Sequence, residues 1–141
     1  MPKTIEQTIT FRASPERLYR LYLNAREHAA ACGGWGKGKI TPKVGGRMEM
    51  APYIRGKFLL LVPGRMIVQT WRGANWKKSD LDSVLIFTFH RIRGGSRLLM
   101  VHANVPDAHA RSIGSVTGGW HSHYWQPWKA YLKKRSLSGS T

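Results

Sequence analysis

Turns divide the middle of the chain into short apolar segments, and this pattern limits the fold more than any other feature. Between residues 34 and 106 each segment has the length of one strand, and the turns contain pairs such as Gly45-Gly46, Pro63-Gly64 and Gly94-Gly95. Such spacing is typical of an antiparallel sheet with tight connections. We predict strands at about residues 4–12, 38–41, 46–53, 55–62, 65–72, 83–92 and 96–104.

The last of these strands has apolar side chains on both of its faces. Because successive side chains of a strand point to opposite faces, residues 96–104 place Leu98, Met100 and His102 on one face and Leu99 and Val101 on the other. We therefore expect much of the sheet to be covered by other elements.

Two short helices are predicted between the first and second strands. Ser14 is a suitable N-cap and Pro15 suits the first helical position, which predicts a helix at about residues 15–23. Residues 25–31 have high helix propensity, and the glycines that follow favour a helix end.

Large side chains near the C-terminus recur every three or four residues, at Ile113, Val116, Trp120, Tyr124, Trp128 and Tyr131. This spacing predicts one helix over about residues 110–134. Gly118-Gly119 predicts a close approach of another segment, and Pro127 predicts a kink. To bury the stripe, the helix must lie in the concave face of a curled sheet. Helices segregated from an antiparallel sheet define an α+β fold.

The chain has 141 residues and a formal net charge of +16, from 23 Lys and Arg against 7 Asp and Glu. This length fits one domain over residues 1–141, with a core at about residues 4–134 and a flexible tail at 135–141. The basic residues are spread along the chain and no nucleic-acid-binding motif occurs. Nucleic acid is therefore an open but less favoured partner.

Several classes of protein are excluded by what the sequence lacks. No apolar stretch reaches the roughly 18 residues of a membrane helix, and the N-terminal residues lack the apolar core of a signal peptide. Cys32 is the only cysteine, which excludes an internal disulfide and a cysteine-based zinc site. We expect a cytoplasmic protein without a membrane span.

Several blocks carry a resemblance that extends over residues 4–132, nearly the whole chain. They lie at residues 11–19, 44–48, 54–58 and 63–72, at Trp76, and at Gly119-Trp120 with Tyr124-Trp125. In order and spacing they resemble the START-like (SRPBCC, helix-grip) superfamily, and within it the activator of heat-shock protein 90 ATPase homologue group. The resemblance implies a curved antiparallel sheet of six or seven strands around a long C-terminal helix, with an apolar cavity between them. Some relatives bind lipids or other apolar molecules, some are cyclases and some assist the chaperone.

Six large or adaptable side chains are the candidates for the wall of that cavity. They are Met48, Met50, Trp71, His102, Trp120 and Tyr124. A pocket needs apolar walls of this kind together with a few polar groups that orient a ligand. The same residues are equally suited to fill a solid core, and the sequence leaves both alternatives open.

No residue pattern marks a metal site, a cofactor site or a catalytic group. His121 and His123 are two residues apart and point to different faces of a helix, whereas a helical zinc pair is spaced by four. His102 is either a hydrogen-bonded core histidine or an acid–base group in the cavity. Cys32 is expected to be a buried bystander thiol.

These features favour non-catalytic binding of a hydrophobic small molecule or lipid. One alternative is a protein interaction module related to chaperone co-factors. Another is an enzyme of the polyketide cyclase or dehydratase type that uses His102 with Tyr124. An open cavity favours the first function, a filled core favours the second, and a His or Tyr beside an acid in the cavity favours the third.

Overall fold

The strands and helices follow the predicted order as far as residue 106. The structure, a computed structural model, describes residues 1–34, 37–115 and 118–139, with side chains up to residue 135. The strands are β1 (Lys3–Phe11), β2 (Lys37–Ile40), β3 (Arg47–Ala51), β4 (Ile54–Val62), β5 (Met66–Gly73), β6 (Ser83–Ile92) and β7 (Gly95–Val105). The helices are α1 (Pro15–Leu23), α2 (Ala25–Ala31), α3 (Asp107–Gly114) and α4 (Gln126–Gly139), and one π-helical turn, here the π turn, spans Trp120–Trp125.

All seven strands form one antiparallel sheet, in the order β1-β7-β6-β5-β4-β3-β2. Each strand from β2 to β7 pairs with its neighbour in the chain, as the turn pattern predicts, while β1 pairs with β7. The sheet is curved and faces the C-terminal helical segment, so the predicted α+β fold of the helix-grip type is confirmed.

The two short helices are fixed by side chains that cap them. The Ser14 hydroxyl accepts the Arg17 backbone N–H at 3.1 Å at the start of α1. Asn24 accepts the Glu27 N–H at 2.9 Å at the start of α2. The Arg17 guanidinium pairs with the Glu27 carboxylate, and the Tyr131 hydroxyl donates to the same carboxylate at 2.8 Å. This cluster joins α1, α2 and α4.

Among the described residues the helices cover only one face of the sheet, so the expectation that much of the sheet is covered is wrong for the outer face. Buried and more exposed positions alternate along β7, and Leu99 is 37% exposed while Leu98 beside it is fully buried. Leu60 on β4 is 45% exposed. Because the helices that carry large apolar side chains pack on the inner face, the outer face keeps an apolar surface in contact with solvent.

The predicted single helix over residues 110–134 is wrong, because the C-terminal segment is divided into separate helical pieces. α3 ends at Gly114, and Ser115 has extended backbone angles. A Cβ atom on Gly118 would lie 2.7 Å from the Ser112 carbonyl oxygen, so the predicted close approach falls at this glycine. Val116 of the predicted stripe lies outside the described residues.

Where the sequence predicts a kink at Pro127, the structure has the π turn immediately before the start of α4. A proline has no N–H, and its ring crowds the carbonyl four residues earlier, which here belongs to His123. The Gln126 N–H donates instead to the carbonyl of His121, five residues back, as in π-helical winding. After Pro127 the helix α4 continues to Gly139, past the predicted end at about residue 134.

Candidate functional site

A cavity of about 670 Å³ lies at the end of the sheet where β5 meets α3 and the π turn. Its walls carry the rings of Tyr53, Trp71, Trp76, Trp120, Tyr124, His109 and His123. The remaining lining consists of Ile54, Ile113, Asn75, Ser112, Ser122 and small residues of the loops. Although the chain has a net charge of +16, the described lining contains no Lys, Arg, Asp or Glu.

Three of the six predicted cavity residues line this space and three do not. Trp71, Trp120 and Tyr124 are on the wall. Met48, Met50 and His102 are fully buried but are absent from the described lining. Part of the inner face is therefore a filled core, and the cavity occupies its end.

Trp76 and His109 line the cavity as well, although they are not among the predicted residues. Their rings stack with centroids 5.8 Å apart and an angle of 17° between the planes. Trp76 belongs to the block pattern on which the resemblance rests, and that signal could have identified it. His109 lies in the first turns of α3, just outside the predicted helix, and its role depends on how α3 meets the loop after β5.

The alternation along β5 brings Trp71 into the cavity wall. Ile67, Gln69, Trp71 and Gly73 face inwards in turn. The Trp71 side chain is only 6% exposed, and within the described part of the chain its indole Nε1–H has no hydrogen-bond partner. An unpaired buried donor costs about 1–3 kcal/mol. The Trp71 indole N–H is therefore an unpaired buried donor that costs stability.

His102 is held in one neutral form by its two partners. The Trp120 Nε1–H donates to His102 Nδ1 at 3.1 Å, so the proton of the neutral ring is on Nε2. From there it is donated to the Ser83 hydroxyl at 2.7 Å, and Ser83 donates in turn to the Trp71 carbonyl at 2.6 Å. Burial lowers the pKa of His102 to about 3. A second proton on Nδ1 would also face the Trp120 donor.

His28 forms a second closed network beneath the cavity. Its Nδ1–H donates to the Tyr22 carbonyl at 2.7 Å, and its Nε2 accepts the Tyr124 hydroxyl at 2.8 Å. Burial lowers the pKa of His28 to about 4, against a smaller opposing effect of the bond to Tyr22. Because Tyr124 bonds to His28, and His102 to Trp120 and Ser83, the pair suggested for catalysis belongs to two separate networks.

Cys32 lies in the same region and has the environment expected of a structural thiol. It is 3% exposed and close to Trp128. Burial raises the pKa of the Cys32 thiol to about 12, which disfavours the reactive thiolate.

The outer face of the sheet carries a second apolar region, here the outer patch. Cross-strand pairs join Leu60 to Val68, Val68 to Ile86 and Ile86 to Val101, and a parallel row contains Val62, Met66 and Leu99. Arg47 on β3 and Lys57 on β4 are cross-strand neighbours at one border of the patch. Arg97 lies on β7 at another border. Glu6 adjoins Val101 on the β1 side.

Residues 1–34, 37–115 and 118–139 contain neither a cluster of metal ligands nor a membrane-spanning helix. No group of three or more His, Cys, Asp or Glu side chains in this part of the chain is arranged to hold a metal ion. Among its helices, none has the length and apolar character needed to cross a bilayer.

The fold and the position of the cavity define a helix-grip protein of the START-like superfamily. The chain belongs to the Activator of Hsp90 ATPase homolog 1-like family, whose family model matches residues 12–133.

The curated relatives are much longer than this chain. Activator of 90 kDa heat shock protein ATPase homolog 1 from Homo sapiens is 28% identical over 123 residues, which are 83% of this chain and 33% of that protein. The Mus musculus protein of the same name gives the same values. The chain thus spans about a third of the length of the curated relatives it matches.

Solved structures share the fold over almost their whole length. An HSP90 activator from Plasmodium falciparum has a TM-score of 0.79 at 22% identity, covering 92% of this chain and 96% of its own. A Mesorhizobium loti protein has a TM-score of 0.77 at 21% identity, and the match covers 94% of this chain and 98% of that protein. At these identities the likeness shows the fold alone.

Proposed function

We propose that this protein binds a hydrophobic small molecule or lipid in the cavity between the sheet and the C-terminal helical segment, without catalysing a reaction. The observation that carries the proposal is the aromatic cavity of about 670 Å³, which lies within the size range of ligand pockets. Trp71, Trp120 and Tyr124 line it, His102 contacts Trp71 and Trp120, and Met48 and Met50 are buried in the core.

The buried histidines favour a binding role over acid–base chemistry. Both ring nitrogens of His102 are occupied, as are both of His28. The low pKa values of His102 and His28 also disfavour their charged forms at neutral pH. We place this activity in the cytoplasm, because cysteines stay reduced there and Cys32 is a free thiol.

The proposal is tested by titration with a neutral apolar fluorophore, N-phenyl-1-naphthylamine. A neutral probe is needed because a chain with a charge of +16 attracts anionic dyes non-specifically. We expect saturable binding of the probe to the wild type. Binding to Ala74→Trp should be about tenfold weaker, because the larger side chain would occupy part of the cavity. Ala130→Trp, on the exposed side of α4, is the matched control. Absence of saturable binding to any neutral apolar probe would contradict the proposal.

A second candidate function is an interaction with a chaperone of the heat-shock protein 90 type. The outer patch favours it, because an apolar centre with Arg47, Lys57 and Arg97 at its borders suits an apolar protein surface with acidic borders. A second copy of this chain fits less well, since both surfaces would carry the same positive charge. The names of the curated relatives point to the same partner.

This second function is tested with the chaperone from the same organism. We expect the wild-type chain to raise its ATPase rate, and Leu99→Glu to abolish that effect by placing an acid in the outer patch. Leu81→Glu is the control, because Leu81 is a highly exposed leucine outside the patch. No change in ATPase rate with wild-type protein, or equal loss in both variants, would exclude the outer patch as the docking surface.

A further inference from the structure

A second concave space, of about 950 Å³, lies where the end of β1 and the β6–β7 turn meet α4. Four basic side chains surround it, those of Arg12, Arg93, Lys129 and Lys133. Its described lining contains no Asp or Glu, and it has no described residue in common with the aromatic cavity. This space, here the basic pocket, therefore differs from the cavity in both position and charge.

The backbone fixes the two arginines of the basic pocket beside each other. Arg93 and Gly94 are the two residues of the turn between β6 and β7, and Gly94 has a φ of 81°. A Cβ atom on Gly95 would lie 2.0 Å from the Phe11 carbonyl oxygen and 3.1 Å from the Arg12 Cα, so the turn and the end of β1 are in backbone contact. Both arginines thus start from well-defined backbone positions, although their side chains are exposed.

The two lysines of the basic pocket come from one side of α4. Lys129 and Lys133 are four residues apart, and residues with this spacing lie on the same face of a helix. Like charges at this spacing destabilise a helix. Leu132, between them in the chain, is buried and forms part of the pocket floor. Two mutually repelling cations are therefore held beside an apolar floor.

No carboxylate in the described part of the chain neutralises these four cations. The ion pairs among the described residues use other basic side chains, namely those of Lys3, Arg17, Arg72 and Arg91. Arg91 lies two residues before Arg93 and is paired with Glu16, whereas no described carboxylate is within ion-pair distance of Arg93. Four like charges around one space repel each other, and a bound anion would remove that repulsion.

We propose that the basic pocket binds a small organic anion that carries two or three linked phosphate groups. Arginine guanidinium groups bind phosphate oxygens through paired hydrogen bonds, and lysine ammonium groups add positive charge. Phe11, Ile92 and Leu132 provide an apolar floor for the organic part of the ligand. The concave shape and a volume within the range of ligand pockets favour a small molecule over a nucleic-acid duplex or a membrane surface.

Isothermal titration calorimetry with ATP, without Mg²⁺ and in about 0.15 M NaCl, tests the proposal. We expect saturable binding of one ATP per chain. The double variant Arg93→Glu/Lys129→Glu should bind ATP at least about tenfold more weakly, because it places two acids in the basic pocket. Lys39→Glu/Lys43→Glu is the matched control, since it lowers the net charge equally at exposed positions outside the pocket. It should weaken binding by less than about threefold.

Two further ligands separate the contributions of the phosphates and of the organic part. Tripolyphosphate has the linked phosphates of ATP without the nucleoside, and AMP has the nucleoside with a single phosphate. We expect tripolyphosphate to bind about threefold and AMP about tenfold more weakly than ATP. Tripolyphosphate that binds as tightly as ATP would overturn the role of the apolar floor. AMP that binds as tightly as ATP would overturn the requirement for linked phosphates.

A spectroscopic measurement on the wild-type protein makes the test independent of how well the variants fold. With 15N-labelled protein, ATP should shift the backbone amide resonances of Arg12, Arg93 and Gly94. The amide resonances of Asn75 and Ser122, which line the aromatic cavity, should not move. Shifts confined to the cavity, or spread evenly over the basic surface, would contradict the proposal.

The remaining results that overturn the inference leave the proposed function untouched, because the two spaces share no described residue. Equal weakening in the two double variants would mean that ATP is attracted only by the net charge. Absence of saturable ATP binding would exclude the site. If a short DNA duplex or anionic phospholipid vesicles bound more tightly than ATP and lost binding in Arg93→Glu/Lys129→Glu, the site would be part of a larger contact surface and not a small-molecule pocket.

Discussion

The filled core and the cavity are built from the same aromatic residue types, but they differ in whether the chain itself fills the space beside those rings. In the filled core both nitrogens of His102 and both of His28 have hydrogen-bond partners. At the cavity the indole N–H of Trp71 has none in the described chain. The histidine networks are thus completed by the chain itself, whereas the cavity leaves about 670 Å³ that we propose a ligand occupies. An unpaired indole does not by itself mark the cavity, because the buried Nε1–H of Trp128 in the filled core has no partner in the described chain either.

The two regions are directly connected, which makes the contrast testable. The Trp71 carbonyl accepts the Ser83 hydroxyl, and Ser83 bonds to His102, which bonds to Trp120. The backbone of Trp71 thus belongs to the closed network while its ring lies on the cavity wall. Changes to the closed network should alter stability, and changes to the cavity wall should alter binding.

Acid should affect the closed networks most strongly. The folded-state pKa values of His102 and His28 are about 3 and about 4, below the ordinary value for histidine. Below about pH 6.5 the unfolded chain therefore binds more protons than the folded one, and stability falls as the pH falls. With two such histidines, the free energy of unfolding should decrease by about 5 kcal/mol between pH 6.5 and 4.5.

Urea unfolding at several pH values in this range measures the effect. His28→Gln should remove about half of the pH dependence, and replacement of the exposed His90 by Gln is the matched control for loss of a histidine. The same slope in the wild type and in His28→Gln would show that His28 gains its proton without penalty in the folded protein.

Breaking the Trp120–His102 hydrogen bond should have the next largest effect. Trp120→Phe leaves His102 Nδ1 without a donor and removes ring contacts where the cavity wall meets the filled core. We expect a loss of about 2–4 kcal/mol in the free energy of unfolding. Chemical denaturation at pH 7 measures it. A loss no greater than that of Trp71→Phe would show that the Trp120–His102 hydrogen bond contributes nothing to stability.

The inner face was largely predictable from the sequence, because a strand alternates with period two. Met48, Met50 and His102 are buried as that alternation requires. The alternation tells which face a side chain occupies, but not where a core ends and a cavity begins. That boundary depends on the approach of α3 and the π turn, so the same rule puts Trp71 on the cavity wall and Met48 in the filled core.

The C-terminal segment shows where periodicity misleads. The spacing of three and four continues from Ile113 to Trp120, although the helix ends between them at Gly114. Gly118 and Gly119 have low helix propensity, but the sequence does not distinguish a helix end from a close approach of another segment at these glycines. Trp76 and His109 lie on a loop and in the first turns of a helix, where no repeating pattern indicates that their rings will stack.

Substitution of Trp71, whose indole N–H is unpaired, should change stability less than substitution of Trp120, whose indole N–H is bonded to His102. Trp71→Phe removes a donor that has no partner, so the lost contacts are offset in part by removal of the unpaired group. We expect the free energy of unfolding to change by about 1 kcal/mol or less. Thermal melts of Trp71→Phe and Trp120→Phe provide the comparison, because they make the same chemical change at an unpaired and at a paired indole of the wall. A larger loss for Trp71→Phe would mean that its N–H is already satisfied in the free protein.

The smallest effect is expected on the outer face, where Leu99 is partly exposed. Leu99→Ala should alter the free energy of unfolding by about 0.5 kcal/mol and leave probe binding in the cavity unchanged. Leu98→Ala, one residue away on the buried face, is the matched control and should cost about 2–5 kcal/mol. If Leu99→Ala were as destabilising as Leu98→Ala, the outer patch would be part of the packed structure of the free protein. A small effect instead leaves its apolar surface available for a partner, because side chains that contribute little to folding can be retained for binding.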